Sequence, residues 1–230
     1  MKIIGLLGGM SWESTVSYYE AINQIISKKL GGLHSAKCLI SSVDFAEIEH
    51  LQAIGDWQKS GNLLAREAKR LENAGADCIV ICTNTMHKVA PMIEQVISIP
   101  LLHIAEETRK VIERDKINKI ALLGTKYTMT QDFYKEKVIE HGIEVMVPTK
   151  DDVEFVNQVI YEELCLGKIR KESKERYVTI IDQLAEQGAQ GVILGCTEIG
   201  LLIKQEDTKV KLFDTTKIHA ESAALYSLAD

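Results

Sequence analysis

Four short clusters in this chain gather hydroxyls, backbone donors, a thiol and a carboxyl of the kind that could hold and act on a small polar molecule, with little positive charge among them. They are Gly8-Gly9-Met10-Ser11, Thr83-Asn84-Thr85-Met86-His87, Thr125 to Thr128, and Cys196-Thr197-Glu198. Cys196 follows an apolar run and a glycine, and a thiol at a strand end leading toward a helix can be activated by amide dipoles. A buried free cysteine is otherwise a small hydrophobe, and by spacing alone the two readings stand level. Glu198 either polarises Cys196 or caps the next helix. His87 either bonds a substrate or holds its loop. Gly8-Gly9 lacks the full G-x-G-x-x-G pattern of a dinucleotide site, so a tight strand-to-helix turn is the better reading. Its backbone nest still suits a carboxylate.

These clusters need elements to position them. Lys2 to Leu7 is a continuous apolar run stopped by Gly8-Gly9, the pattern of a strand buried on both faces. Similar runs predict strands at Lys37–Ser42, Cys78–Cys82, Leu101–Ile104, Lys119–Leu123, Glu144–Val147, Gly191–Leu194 and Leu212–Asp214. Helical spacing predicts helices over Ser14–Leu30, Gly61–Ala74, Thr130–His141, Val153–Leu166, Glu172–Gln187 and Thr216–Leu228. Strands alternating with helices imply parallel sheets with helices on both faces. In such sheets ligands bind beyond the carboxyl ends of the strands, where all four clusters lie.

An internal repeat refines this reading. Gly75-Ala76-Asp77-Cys78-Ile79-Val80-Ile81-Cys82-Thr83-Asn84-Thr85 matches Gly188-Ala189-Gln190-Gly191-Val192-Ile193-Leu194-Gly195-Cys196-Thr197-Glu198. Ile4 to Gly8 matches Ile120 to Gly124 at nearly the same offset. The expected architecture is α/β, with two pseudo-symmetric parallel-sheet lobes and the active site in the cleft between them. Residues 1–98 with 209–230 would form the first lobe and residues 99–208 the second. In this register Thr83 stands opposite Cys196. Cys82 matches Gly195, and because side chains alternate along a strand it should point away from the face that presents Thr83. Cys82 is therefore read as structural.

Composition narrows the classes. The chain has 230 residues, 46% of them hydrophobic and 26% charged, which suffices for one domain or two small ones. A net charge of −6 without a basic run argues against nucleic-acid binding. No apolar run reaches the roughly 20 residues that span a bilayer, and the short apolar start carries no cleavage-site pattern. Five cysteines, an odd number, point to reduced thiols and a cytoplasmic location rather than to disulfides. Cys78 and Cys82 lie on one strand face with no partner pair, so no metal site is expected. His34, His50 and His141 read as surface positions, and His103 and His219 carry no motif.

Leu-Leu-Gly8-Gly9-Met10-Ser11, Thr83-Asn84-Thr85-Met86-His87 and Gly195-Cys196-Thr197-Glu198 together resemble the aspartate/glutamate racemase family, in order and spacing, across the chain. Glu162 to Gly167 and Phe213-Asp214-Thr215 point to the bacterial branch acting on L-aspartate and L-glutamate. The resemblance implies a cofactor-independent, metal-independent amino-acid racemase, a homodimer taking a small amino-acid substrate. In the family, two cysteines flank the substrate Cα, one removing the α-proton and the other delivering a proton to the opposite face. Here the second is matched by Cys196 and the first by Thr83. Met10 and Ser11 would offer donors to a carboxylate. Asn84, Thr85 and Thr197 would grip the α-carboxylate and amine, with Gln52, Thr125, Tyr127 and Thr128 toward the side-chain end and Glu198 and His87 in support. Dicarboxylate-specific relatives often place a basic residue in the stretch matching Leu164-Cys165, and none stands at those positions here. The enzymatic alternatives are a hydantoin-racemase-like or maleate-isomerase-like activity. The alternative from another class is a catalytically weak small-ligand binding protein.

Overall fold

The computed structural model describes residues 1–229, which form two four-stranded parallel sheets. The first contains β1 (Ile4–Gly8), β2 (Cys38–Ser42), β3 (Cys78–Ile81) and β4 (Leu101–Leu102), in the order β2-β1-β3-β4. The second contains β5 (Lys119–Gly124), β6 (Glu144–Met146), β7 (Gly191–Gly195) and β8 (Lys211–Asp214), in the order β6-β5-β7-β8. The central strands β1, β3, β5 and β7 are the uninterrupted apolar runs, and β1, β3 and β7 are buried at every residue. β3 shows how such a run serves two faces. Cys78, Val80 and Cys82 enter one apolar cluster with Tyr18 and Ile22, while Ile79 and Ile81 enter the other with Leu64 and Met86.

The repeat seen in the sequence persists as register. Leu7 pairs with Ile81 across β1 and β3, and their counterparts Leu123 and Leu194 pair across β5 and β7. Each sheet therefore has the same internal register, and Thr83 and Cys196 follow corresponding strands at corresponding places in the sequence.

The helices begin where short polar side chains can take up free amides. Ser11, Asp44, Asp56, Thr125 and Thr149 each accept a first-turn N–H. Asp56 starts its helix at Trp57, ahead of the expected Gly61. Thr149 starts another at Lys150, and the expected helix over 153–166 ends at Glu162 before a separate tight turn at Leu164–Leu166. The expected strand over 101–104 is only Leu101–Leu102, because Ile104 opens a helix to Arg114.

The chain divides into two compact units. One comprises Met1–Ile104 and the chain from His219 onward, and the other Ala105–Ile218. The sequence boundaries at 98 and 208 differ from these divisions for a simple reason. β4 pairs with β3 and so belongs to the first unit, and β8 pairs with β7 and so belongs to the second. Among the described residues no helix is long and apolar enough to cross a membrane.

Candidate active site

In the first unit the loop after β1 is held from within. Gly9 has φ +90, and a Cβ there would lie 2.2 Å from the Val43 carbonyl oxygen, so only glycine fits. The Gly9 amide donates to Thr15 Oγ1 at 2.8 Å, and the Thr15 hydroxyl donates to the Ser11 carbonyl at 3.0 Å. Ser11 Oγ accepts the Ser14 amide as the helix cap, and the Ser14 hydroxyl donates to the Cys82 carbonyl at 3.1 Å. The Met10 side chain packs in the apolar core, which leaves its backbone as the part available to a ligand. Sequence reasoning missed Ser14 and Thr15. Two hydroxyls side by side in the first turn after a glycine loop were the available signal.

The segment after β3 is tied as firmly. The Cys82 amide donates to the Leu7 carbonyl and the Thr83 amide to the Ile81 carbonyl, each at 2.9 Å. Thr83, Asn84, Thr85 and His87 are all buried, with Thr83 retaining 9% exposure. Gln52, on the helix Phe45–Ala53, is buried beside this segment and donates through Nε2 to the Met86 sulfur at 2.9 Å. Cys82 points into the opposite core with its thiol 3.7 Å from the Val80 carbonyl, and burial pushes that thiol far up.

His87 has a defined tautomer. Its Nδ1 lies 2.8 Å from the Thr83 carbonyl oxygen, which can only accept, so Nδ1 carries the proton. Its Nε2 then accepts the Ile104 amide at 3.2 Å. Burial, with a smaller contribution from His219, lowers its pKa to about 3. The ring is neutral and both nitrogens are occupied by backbone groups. His87 therefore supports the loop and cannot shuttle a proton for Thr83.

In the second unit the glycines at the ends of β5 and β7 let the strands and the Thr128 side chain close together. A Cβ on Gly124 would meet the Gly195 carbonyl at 2.7 Å, and one on Gly195 would meet Leu122 at 2.7 Å. Thr125 and Thr128 are buried and joined, with 3.1 Å between their hydroxyl oxygens, while Tyr127 is half-buried. Beyond β7 the Cys196 thiol donates to Glu198 Oε2 at 2.9 Å, and the Thr197 hydroxyl donates to the same oxygen at 2.7 Å. Burial and then the Glu198 charge raise the Cys196 pKa well above its usual value. Of the two readings that the sequence leaves level, the structure gives Cys196 both burial and a polar partner. Cys196 rests as a thiol whose proton is already directed at a carboxylate. Glu198 makes no side-chain cap to the short helix Ile199–Leu202. Among the described residues no group of three or more His, Cys, Asp or Glu is arranged to hold a metal ion.

Comparison with known proteins gives this arrangement a lineage. The Asp/Glu/Hydantoin racemase family matches residues 7–223. A Yersinia pestis crystal structure assigned to the Asp/Glu racemases is 56% identical with a TM-score of 0.93, over 100% of both chains. An aspartate racemase homologue from Pyrococcus horikoshii OT3 is 36% identical with a TM-score of 0.86, again over 100% of both chains. The broad specificity amino-acid racemase RacX of Bacillus subtilis strain 168 is 26% identical over 99% of each chain. The family match spans both strand ends that carry Thr83 and Cys196, and the chain belongs to the Asp/Glu/Hydantoin racemase family.

Proposed function

We propose that the protein racemises acidic amino acids, L-aspartate and L-glutamate, by exchanging the α-proton between two groups that serve opposite faces of the substrate Cα. Cys196 acts on the L-enantiomer. Its proton passes from Sγ to the Glu198 carboxylate, leaving a thiolate that takes the α-proton. The carbanion is stabilised by donors around the substrate carboxylate, with Met10 and Ser11 backbone groups and Asn84, Thr85 and Thr197 as candidates. Thr83 delivers a proton to the other face. A hydroxyl cannot rest as an anion near neutral pH, so Thr83 gives up its proton as it gains one from water. The hydroxide left behind is neutralised through solvent by the proton that Glu198 took from Cys196, which returns both ends to their starting state. His87 takes no part in that transfer.

The observation that carries this reading is the paired register of the two sheets. It sets a hydroxyl and a carboxylate-linked thiol at equivalent strand ends of one family fold. The two enantiomers are equally stable in water, so kcat/KM must be equal in both directions. Directional preference can appear only as offsetting changes in kcat and KM.

The test is loss of the α-proton in heavy water from L- and D-aspartate, and then from a panel of other amino acids. Wild-type protein should exchange both enantiomers, and Cys196→Ser should lose exchange by about 1,000-fold or more, the scale of a lost acid–base group. Full exchange by Cys196→Ser would sink the assignment. Thermal stabilisation by aspartate without any exchange would mark a binding protein instead.

A further inference from the structure

The first unit contains a chain of hydrogen bonds that the racemisation chemistry does not use directly. The Tyr18 hydroxyl lies 2.9 Å from His219 Nδ1, and His219 Nε2 lies 2.7 Å from the Leu102 carbonyl oxygen. The carbonyl can only accept, so His219 carries its proton on Nε2 and receives the tyrosine hydroxyl on Nδ1. Two residues past Leu102, the Ile104 amide donates to His87 Nε2, and His87 Nδ1–H donates to the Thr83 carbonyl. The rings are packed edge-on. His87 lies 4.6 Å from His103 and 5.7 Å from His219, centre to centre, and Tyr18 lies 5.6 Å from His219. His87, His219 and Tyr18 are at most 2% exposed. The chain ends on the backbone of the residue assigned to one face of the substrate.

We infer that His87, braced by His219 through the backbone of 102–104, is a positioning residue that fixes the Thr83 hydroxyl for proton transfer. This rests on the racemase reading above. Thr83 is gripped on both sides, its amide by the Ile81 carbonyl and its own carbonyl by His87. Its amide bond is local and would survive without His87, whereas its carbonyl bond would not. Displacing a reacting group by about 1 Å can cost about 100-fold in rate without weakening binding to match. Burial holds both rings neutral, so each keeps one donor and one acceptor, and the chain runs in a single direction.

The geometry separates two conservative substitutions. In His87→Asn the side-chain amide can place its donor where Nδ1–H now stands. In His87→Gln the amide reaches instead toward the position of Nε2. Racemisation of L-aspartate, followed by optical rotation, should show kcat within about fivefold of wild type for His87→Asn. For His87→Gln it should fall about 100-fold with KM within about twofold. Full kcat in a folded His87→Gln protein, equal losses in both variants, or a loss confined to KM overturns the inference. Should His87→Gln fail to fold, a more than tenfold kcat loss in a folded His87→Asn protein overturns it alone, and retained kcat supports it. Absence of racemisation by the wild-type protein would instead overturn the racemase reading itself.

Discussion

After β3 the chain presents a hydroxyl, Thr83, whose backbone is fixed on both sides. After β7 it presents a thiol, Cys196, whose proton is held by a carboxylate two residues further on. The two residues are comparably exposed, at 9% and 7%, and leave equivalent strands in equivalent register. The difference is therefore in their partners. Around Thr83 the polar partners are the Ile81 carbonyl and the neutral ring of His87, which hold position and carry no net charge. Around Cys196 the partner is an anion, which holds position and also opposes formation of a second anion. On the proposed racemase reading, one end serves placement and the other proton affinity. A weak acid such as a hydroxyl gains most from exact geometry, while a thiol gains most from a neighbour that can accept its proton.

The most severe way to erase this contrast is Glu198→Gln. Without a proton acceptor, kcat for L-aspartate should fall about 100-fold. Yet the thiol itself should ionise more readily, because the Glu198 charge that helps raise its pKa is gone. Alkylation of Cys196 by iodoacetamide at pH 8, followed on its own peptide by mass spectrometry, should therefore be faster in the variant. Retained activity with unchanged alkylation would show that Cys196 is no more dependent on a neighbouring charge than Thr83.

Acid should strain the Thr83 end next. His87 and His219 are each lowered from 6.5 to about 3 in the folded protein. An unfolded histidine takes its proton as pH falls through 6.5, whereas these two stay neutral until about pH 3. Unfolding thus takes up protons across that window. The stability present above pH 6.5 is lost on acidification, at a limiting slope of about 1.4 kcal/mol per pH unit for each histidine. Urea unfolding between pH 7 and pH 4 measures the slope, and His87→Asn should make it shallower by about one proton's worth. Identical slopes in the two proteins would refute the assignment of neutral buried rings.

The smallest effect is expected at Cys82, one residue before Thr83. Cys82→Ala should leave racemisation within about twofold while costing about 1 kcal/mol of stability, the scale of a small core truncation. A large loss of activity, measured by the same exchange in heavy water, would move the chemistry one residue along β3 and break the equivalence of the two ends.

Much of this arrangement is legible in the sequence because it is local. The apolar runs bounded by glycine mark the central strands. The repeat marks the register that matches Thr83, not Cys82, to Cys196, and Cys82 packs in the core with Tyr18 and Ile22. The partner of Cys196 is two residues away and was among the sequence candidates. The histidine support was not legible, because its bonds join residues far apart in the chain. Tyr18 meets His219 across 201 positions and His219 meets Leu102 across 117, and neither pairing leaves a spacing motif. The helix Ile104–Arg114 was passed over because its first residue reads as the end of the apolar run at Leu101. The boundaries of the units moved for a related reason. β4 and β8 are short strands assigned by their pairing partners, which apolar patterning does not reveal.

The discontinuity of the first unit has a temporal consequence. A ribosome delivers the chain from its amino end, and domains generally close as they emerge. Ala105–Ile218 is one uninterrupted stretch and is complete before His219 has been made. The older unit must wait, with the Leu102 carbonyl and Tyr18 hydroxyl lacking the ring that joins them, until His219 arrives. The link from His219 to the Leu102 carbonyl therefore forms only after the whole of Ala105–Ile218 has been made. A chain cut before His219, even after both sheets are encoded, lacks the ring that joins Tyr18 to the Leu102 carbonyl.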